Sequence, residues 1–327
     1  MLTAAGTLAR NWLKDARPWT NVYGLARTIL ASATALTLLF SETSSLFRMA
    51  SGLDSEPPLC DGIRRFGTYC IVPHAHLEWA RWLSIAILVV VASGWRPRIT
   101  GILHWWVSFS LFSSAIMVDG GDQAAGILSL LLIPVTLTDP RRSHWDHMPD
   151  GTGEARRLVA QWALALVRLQ VAGIYFHAAV GKFAIEEWAD GTALYYWLLH
   201  PGLGAPNWLA PILGPVLRNG IGVSLLTWSV IVLEFFLCMG LVIAKPRRKW
   251  LLVLGISLHA GIIVVHGLVS FGLTMTAALI LFLRPMEQDF DFGWLGRRFG
   301  KLRTRFALAS LRGTSGRAPV LASSVHE

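Results

Sequence analysis

The sequence predicts an all-α fold, a polytopic transmembrane bundle of about eight membrane helices with both termini in the cytoplasm. The chain is 54% hydrophobic and only 15% charged, whereas soluble domains have about a quarter charged residues. Apolar runs long enough to cross a hydrocarbon core of roughly 30 Å recur along the sequence. A helix satisfies its own backbone hydrogen bonds in lipid, so these runs are predicted to be helical.

Eight apolar runs are the predicted spans. The last two are separated only by the short segment "HGLVSFG", which makes their boundary the least marked. The runs cover residues 22–41, 77–95, 99–118, 122–138, 158–181, 221–244, 250–266 and 268–284.

The basic residues indicate the orientation. The net charge is +9, but most Lys and Arg residues lie at the N-terminus, in every second segment between runs, and in the tail. The other segments between runs have few basic residues and more acidic ones. The positive-inside rule therefore places both termini in the cytoplasm and the protein in the cell membrane as a multi-pass protein. Because the cations alternate with spans and form no single basic face, nucleic acid is not a predicted partner. The basic segments are residues 1–21, 96–98, 139–157, 245–249 and 285–327.

Three regions are expected along the chain. Residues 1–20 are predicted to form a cytoplasmic amphipathic segment, and residues 21–285 the transmembrane domain. Residues 286–327 are predicted to form a basic, partly disordered cytoplasmic tail. Its opening "FDFGWLGRRFGKLRTRF" alternates aromatic and basic residues, a composition that favours anionic headgroups.

The cysteines predict a disulfide. Cys60 and Cys70 lie in the longest outer loop, residues 42–76, where an oxidising environment favours a bond between them. The alternative is a metal site that adds His74 and His76, although zinc ligands usually occur in tighter pairs. No metal site is therefore predicted.

Ionisable residues within the spans are costly in lipid and are functional candidates. Arg168 and Glu234 each lie near the middle of a run. Opposite charges at matching depth predict a structural buried ion pair. His259, central in the seventh run, either joins this pair or bonds a neighbouring helix.

Lys182 lies at the outer end of the fifth run, where the chain has few cations. It either snorkels and pairs with Glu186 or acts as a partly desolvated general base. In the second case, Tyr175 and His177 are catalytic candidates beside it. The segment "EEWADGTALYYWLLHP" is expected to form an interfacial helix that covers an outer cavity. Further candidates for the wall of this cavity are Asp119, Asp122 and His266.

These motifs carry a family resemblance. The pattern "R-x-Q … Y-F-H-A-A-V-G-K-F … W-x-x-G-x-A" resembles the HTTM domain, the membrane domain of vitamin K-dependent gamma-glutamyl carboxylase and its bacterial relatives. The opening "RPWTNVYGLARTILASATALTLLF" and the paired-cysteine loop resemble one branch, the sporulation-delaying protein B family. The resemblance spans roughly residues 15–285. Its pattern residues here are Arg168, Gln170, Tyr175, Lys182, Trp188, Gly191 and Ala193.

The resemblance implies two levels of function. In the carboxylase, the lysine matched by Lys182 deprotonates a reduced quinone, which is the cofactor that the resemblance suggests. The sporulation-delaying branch assists maturation of an exported peptide toxin, so a peptide precursor and a small partner protein are the implied partners beside the lipid bilayer. The sequence has no large lumenal domain, which places protein gamma-carboxylation in doubt.

The expected function is therefore assistance in maturing an exported peptide toxin, either with Lys182 as the base of a quinone-linked enzyme or without catalysis. The alternatives are a quinone-dependent carboxylase or epoxidase and a non-enzymatic immunity or transport protein. Transport is disfavoured because matching halves with Gly- or Pro-broken spans are missing from the sequence. Phosphate-binding glycine loops and nucleophile elbows are also missing.

Overall fold

The computed structural model describes residues 16–50, 56–149 and 151–291. Within these ranges the chain is helical and has no β-strand, only an isolated bridge between Trp95 and Ser143. The predicted all-α fold is confirmed. Most of the expected N-terminal amphipathic segment, residues 1–15, and most of the expected tail, residues 292–327, lie outside the described residues.

Each of the eight predicted runs overlaps one long helix. The fifth helix is the longest, with 29 residues, and the eighth is the shortest, with 15. The helices are α1 (Asn21–Phe40), α2 (Leu77–Ala92), α3 (Pro97–Ser114), α4 (Gly120–Thr138), α5 (Glu154–Lys182), α6 (Gly220–Cys238), α7 (Lys245–His266) and α8 (Val269–Leu283).

Six of these helices are long and apolar enough to cross a membrane by length and composition, namely α1, α2, α4, α5, α6 and α7. Helix α8 is apolar but shorter. Helix α3 contains His104 and several serines, which lower its hydropathy. The protein is therefore a multi-pass membrane protein, while the count of eight crossings and the orientation of the termini remain predictions.

Helix α8 occupies the centre of the bundle. It packs against α1, α4, α5 and α7, and its residues from Ala277 to Leu283 are buried. Small residues allow such close packing between membrane helices. At Gly255 of α7, for example, a Cβ atom would lie 2.7 Å from Leu279 of α8.

The long loop between α1 and α2 lies at one end of the bundle and contains a disulfide between Cys60 and Cys70, as predicted. Both sulfur atoms of the pair are bonded to each other, so the alternative metal site does not form around them. The loop is fixed on α3, where the Leu59 amide donates to the Ser114 carbonyl at 3.0 Å and the Thr68 amide to Ser110 Oγ at 2.9 Å. We call this the disulfide end.

The opposite end, which we call the basic end, has Arg98, Arg141 and Arg248 beside the helix termini. Here a buried polar network joins α1 and α3 to the segment after α4. Arg141 donates to both oxygens of Asp139 at 2.8 and 2.9 Å, and Arg27 donates to Thr100 Oγ1 at 2.7 Å. His144 lies between Arg27 and Thr28, 3.5 and 3.2 Å from them.

Candidate functional site

Lys182 is the last residue of α5, and its ammonium group contacts Glu234 of α6. The Nζ atom lies 2.8 Å from Oε1 and 2.6 Å from Oε2 of the carboxylate. It also donates to the Ala178 carbonyl at 3.3 Å. The side chains of Lys182 and Glu234 are 18% and 11% exposed. A mostly buried ion pair thus links these two helices.

The segment after α5 covers this pair. A short helix, Glu186–Ala189, places the Trp188 ring 5.0 Å from Lys182 Nζ, within the range of a cation–π contact. Gly191 then has a φ of 86°, and a Cβ atom there would lie 3.0 Å from Ser224 of α6. Glycine therefore suits both the backbone conformation and the close approach.

The expected interfacial helix is in fact two short helices. The sequence "EEWADGTALYYWLLHP" breaks at Gly191, and the chain resumes as Ala193–Leu198. The Leu194 amide donates to Thr227 Oγ1 at 3.3 Å, which attaches the second piece to α6. The second piece therefore lies against α6, while the first brings Trp188 to Lys182.

Tyr175 lies on α5 seven residues before Lys182 and bonds α7. Its hydroxyl and His259 Nε2 share a hydrogen bond of 2.8 Å, and both side chains are buried. Within the described part of the chain, His259 Nδ1 has no hydrogen-bond partner. Helix α5 is thereby linked to α6 through Lys182 and to α7 through Tyr175.

The predicted ion pair between Arg168 and Glu234 is wrong, because Lys182 occupies the carboxylate. Arg168 lies two heptads before Lys182, about 21 Å along the helix. It lines a cavity with Lys245 and Arg248 at the basic end. Helix α5 is ten residues longer than α6 (29 against 19), so the middle of one helix does not face the middle of the other.

Two related expectations are also settled by this geometry. His259 does not join Glu234 and instead bonds the neighbouring helix through Tyr175. Lys182 does not pair with Glu186, which is exposed at the start of the next short helix. The snorkelling interpretation in its predicted form is therefore wrong, since the lysine turns inward to Glu234.

The remaining predicted site residues do not converge on Lys182. His177 is exposed and lines a groove of about 380 Å³ between α4 and α5. Asp119 and Asp122 line a different cavity, of about 520 Å³, at the disulfide end. His266 Nδ1 donates to the Leu203 carbonyl at 2.6 Å. The single outer cavity expected from the sequence is replaced by separate environments.

The two aspartates also have a local structural role. Asp119 precedes α4 and accepts hydrogen bonds from the Gly121 and Asp122 amides at 2.8 and 3.0 Å. Asp122 completes a capping box and accepts a bond from Thr37 Oγ1 at 3.1 Å. Such caps satisfy helix donors that otherwise lack partners, so the segment "DGGD" serves to start α4.

Sequence reasoning missed the buried network around Arg27. This arginine is fully buried inside α1, and the same rule that singled out Arg168 applies to it. The signal was present in the stretch "LARTIL", where one cation interrupts the first apolar run.

Comparisons with known proteins agree on one family. The HTTM domain matches residues 127–286, which include Lys182, Glu234 and His259. The chain is 38% identical over 286 residues to the uncharacterized protein YitO of Bacillus subtilis (strain 168), covering 86% of this chain and 91% of YitO. It is 36% identical over 285 residues to the sporulation-delaying protein SdpB of the same organism, covering 86% and 87%. No solved structure matches the chain significantly.

Proposed function

This chain belongs to the SdpB-like family of HTTM-domain membrane proteins, and we propose that it assists the maturation of an exported peptide toxin. We further propose the cytoplasmic membrane as its location, with both termini inside and Lys182 reached from outside. The partners in this proposal are a peptide precursor and a small partner protein.

The observation that carries this proposal is the bond between Lys182 and Glu234. Among the described residues, Glu234 is the one carboxylate in contact with this ammonium group. Desolvation of a buried ion pair is costly, and in the proposed first step one proton passes from Lys182 to Glu234 and leaves a neutral pair. No atom other than that proton has to move far, because the two groups are 2.6 Å apart.

The neutral Lys182 amine is then a general base. It accepts a proton from an acidic group of the substrate, and the substrate becomes an anion beside the new ammonium ion. Glu234 retains the first proton during this step, so charge is conserved. Trp188 lies over the amine, with its ring 5.0 Å from Nζ. Tyr175 and His259 hold α5 and α7 together next to this site.

A quinone-linked reaction is the second candidate function. It requires space for a flat ring at the Lys182 amine, but that amine is enclosed by Glu234, the Ala178 carbonyl and the Trp188 ring. The groove lined by Ala178 and His177 lies one helical turn away. Either substrate, a quinone or a peptide, has to displace one of these neighbours to reach the amine, and the proton transfers proposed above require no quinone.

The test is mass spectrometry of the exported peptide from cells that carry the wild type, Lys182→Met, Glu234→Gln or the double variant. We expect Lys182→Met to abolish the mature peptide, because it removes the proton acceptor. The double variant leaves neither member of the pair as an unpaired buried charge. It therefore distinguishes loss of the catalytic base from damage to the packing of α5 against α6. Lys249→Met, at an exposed lysine, is the matched control and should leave the peptide unchanged. Membrane levels of every variant are measured in parallel.

Two outcomes would contradict the catalytic role. If Lys182→Met cells still made normal mature peptide, Lys182 would not be the catalytic base. That result would favour an immunity or transport protein. Recovery of the peptide in the double variant would show that the pair acts only as a structural link between α5 and α6. Loss in both, with normal insertion, supports the proposal, and the mass difference identifies the reaction.

A further inference from the structure

Arg168, displaced from its predicted partner, lies in a cluster of cations at the basic end. It lines one small cavity together with Lys245 and Arg248 of α7 and Arg284, which follows α8. The cavity has a single carboxylate, Glu287. We call these residues the arginine pocket. Arginine stays ionised in proteins, so this pocket has a clear excess of positive charge.

Arg168 is incompletely compensated in the pocket. Within the described ranges, its Nε atom is buried and has no hydrogen-bond partner. The charges that act on its guanidinium are those of Glu287, which attracts it, and Arg248, which repels it. Buried donors in proteins are nearly always satisfied, and a guanidinium presents its donors in a planar fork that suits carboxylate or phosphate oxygens.

The surrounding helices hold the other cations in place. Arg248 donates from Nε to the Ile243 carbonyl at 2.9 Å and from Nη2 to the Leu241 carbonyl at 3.2 Å. These bonds fix its guanidinium at the turn between α6 and α7. Lys245 is the first residue of α7, a helix of 22 residues. The positive end of the helix dipole adds to the charge of the pocket.

The size of the pocket limits its occupant. Its volume of about 20 Å³ admits little more than one water-sized group. It therefore accepts the oxygen atoms at the tip of a larger molecule, while the rest of that molecule stays outside. Leu283 and Pro285 form an apolar part of the rim. Nearby, Val242 in the turn between α6 and α7 and Trp250 on α7 are exposed.

We propose that the arginine pocket binds a phosphate group, supplied by the headgroup of an anionic lipid in the leaflet at the basic end. Basic pockets between the ends of membrane helices suit such headgroups. The acyl chains would lie along the exposed apolar surface of α6 and α7. Free inorganic phosphate has the same chemistry and is the other source to be tested. This inference is independent of the proposed catalytic role of Lys182.

The experiment uses the full chain purified in a neutral detergent. Binding of phosphatidylglycerol is measured by native mass spectrometry and by the shift of the thermal unfolding midpoint with lipid concentration. Phosphatidylcholine and inorganic phosphate are separate arms. We expect saturable binding of phosphatidylglycerol. Lys245→Gln and Arg168→Gln should each weaken it about fivefold, as expected for the loss of one cation near an anionic headgroup.

Arg247→Gln is the matched control, because Arg247 is exposed beside Arg248 and lines a different cavity. It should leave the affinity nearly unchanged. Since Arg168→Gln alters a side chain inside the bundle, Lys245→Gln provides the same test at an exposed position. Elution as a single species in size-exclusion chromatography shows that each variant is folded.

Each outcome decides the proposal. Equal weakening by Arg247→Gln and Lys245→Gln would indicate diffuse surface attraction and overturn it, and so would binding that does not saturate. If inorganic phosphate alone gives the shift and competes with the lipid, the pocket stands and its ligand is free phosphate. If neither lipid nor phosphate binds, the proposal is wrong.

Discussion

Two of the regions in which the described residues bury charge differ in the type of cation that each contains. At the basic end, Arg141 donates to both oxygens of Asp139 and to the carbonyls of His144 and Asp146. In the second region, Lys182 contacts Glu234 and a single carbonyl, that of Ala178. The Arg141 side chain thus makes four hydrogen bonds and the Lys182 ammonium three, so the donors of both cations are largely satisfied.

The chemistry of the two cations differs. Arginine does not lose its proton in proteins, whereas a buried lysine can become neutral. The arginine network is therefore suited to fixing the loop between α4 and α5 against α1. A lysine beside a carboxylate is suited to proton transfer. The type of cation, and not the number of its partners, separates structural charge from chemically available charge.

The largest expected effect comes from breaking the first region. Asp139→Ala leaves the fully buried Arg141 without its carboxylate. Removal of one partner from a buried pair costs roughly 3–5 kcal/mol, so we expect loss of most folded protein. The measurement is the yield and thermal unfolding of the purified variant. Asp146→Ala, at an exposed residue of the same loop, is the control. Equal stability of the two variants would contradict this role of Asp139.

A smaller effect is expected from the equivalent change in the second region. Glu234→Gln should cost roughly 1–3 kcal/mol, less than Asp139→Ala, because the side chains of Lys182 and Glu234 are 18% and 11% exposed whereas those of Arg141 and Asp139 are fully buried. Glu186→Gln, at the exposed partner expected from the sequence, should change stability by less than about 0.5 kcal/mol. Both are measured by thermal unfolding in detergent. A larger loss of stability for Glu234→Gln than for Asp139→Ala would contradict this ranking of the two ion pairs.

The third effect concerns pH. Burial first, and then Arg27 and Arg141, lower the pKa of His144 from 6.5 to about 3. The folded state therefore keeps His144 neutral, and its contribution is fully present above pH 6.5. As the pH falls from 6.5 towards 3, the unfolded state binds a proton that the folded state does not. The loss at pH 5.5 is about 1.4 kcal/mol.

This dependence is measured as the unfolding midpoint between pH 7.5 and 5, a range chosen to bracket the ordinary pKa of histidine. His144→Asn should flatten the profile in the acidic range. His147→Asn, at an exposed histidine of the same segment, should leave the profile as it is. A wild-type midpoint that does not move between these limits would show that His144 is not held neutral.

Sequence patterns predicted the helices and the disulfide, but they did not predict which side chains contact each other. Hydropathy located a helix in each of the eight runs, and the loop cysteines predicted the disulfide, because both depend on local composition and chain separation. The partner of Glu234 could not be found in this way. It depends on the relative depth of α5 and α6, which differ in length, and on the turn that brings Trp188 back over Lys182.

The same limit explains the dispersed site. His177 and Lys182 are close in sequence but project from different faces of α5, so only Lys182 reaches α6. Asp119 and Asp122 are occupied in starting α4. The Arg27 network was in principle detectable from one cation inside the first run. Its partners Thr100 and His144 are distant in sequence and had no pattern of their own.

The central position of α8 has a consequence for the order of synthesis. Helix α1 is made first, yet one of its principal neighbours is α8, the last of the eight helices in the chain. Until residues 269–283 have left the ribosome, α1, α4, α5 and α7 lack a helix against which each of them packs. A truncation that removes α8 would therefore take away the middle of the assembly, and proteolytic quality control should remove the product during or soon after membrane insertion.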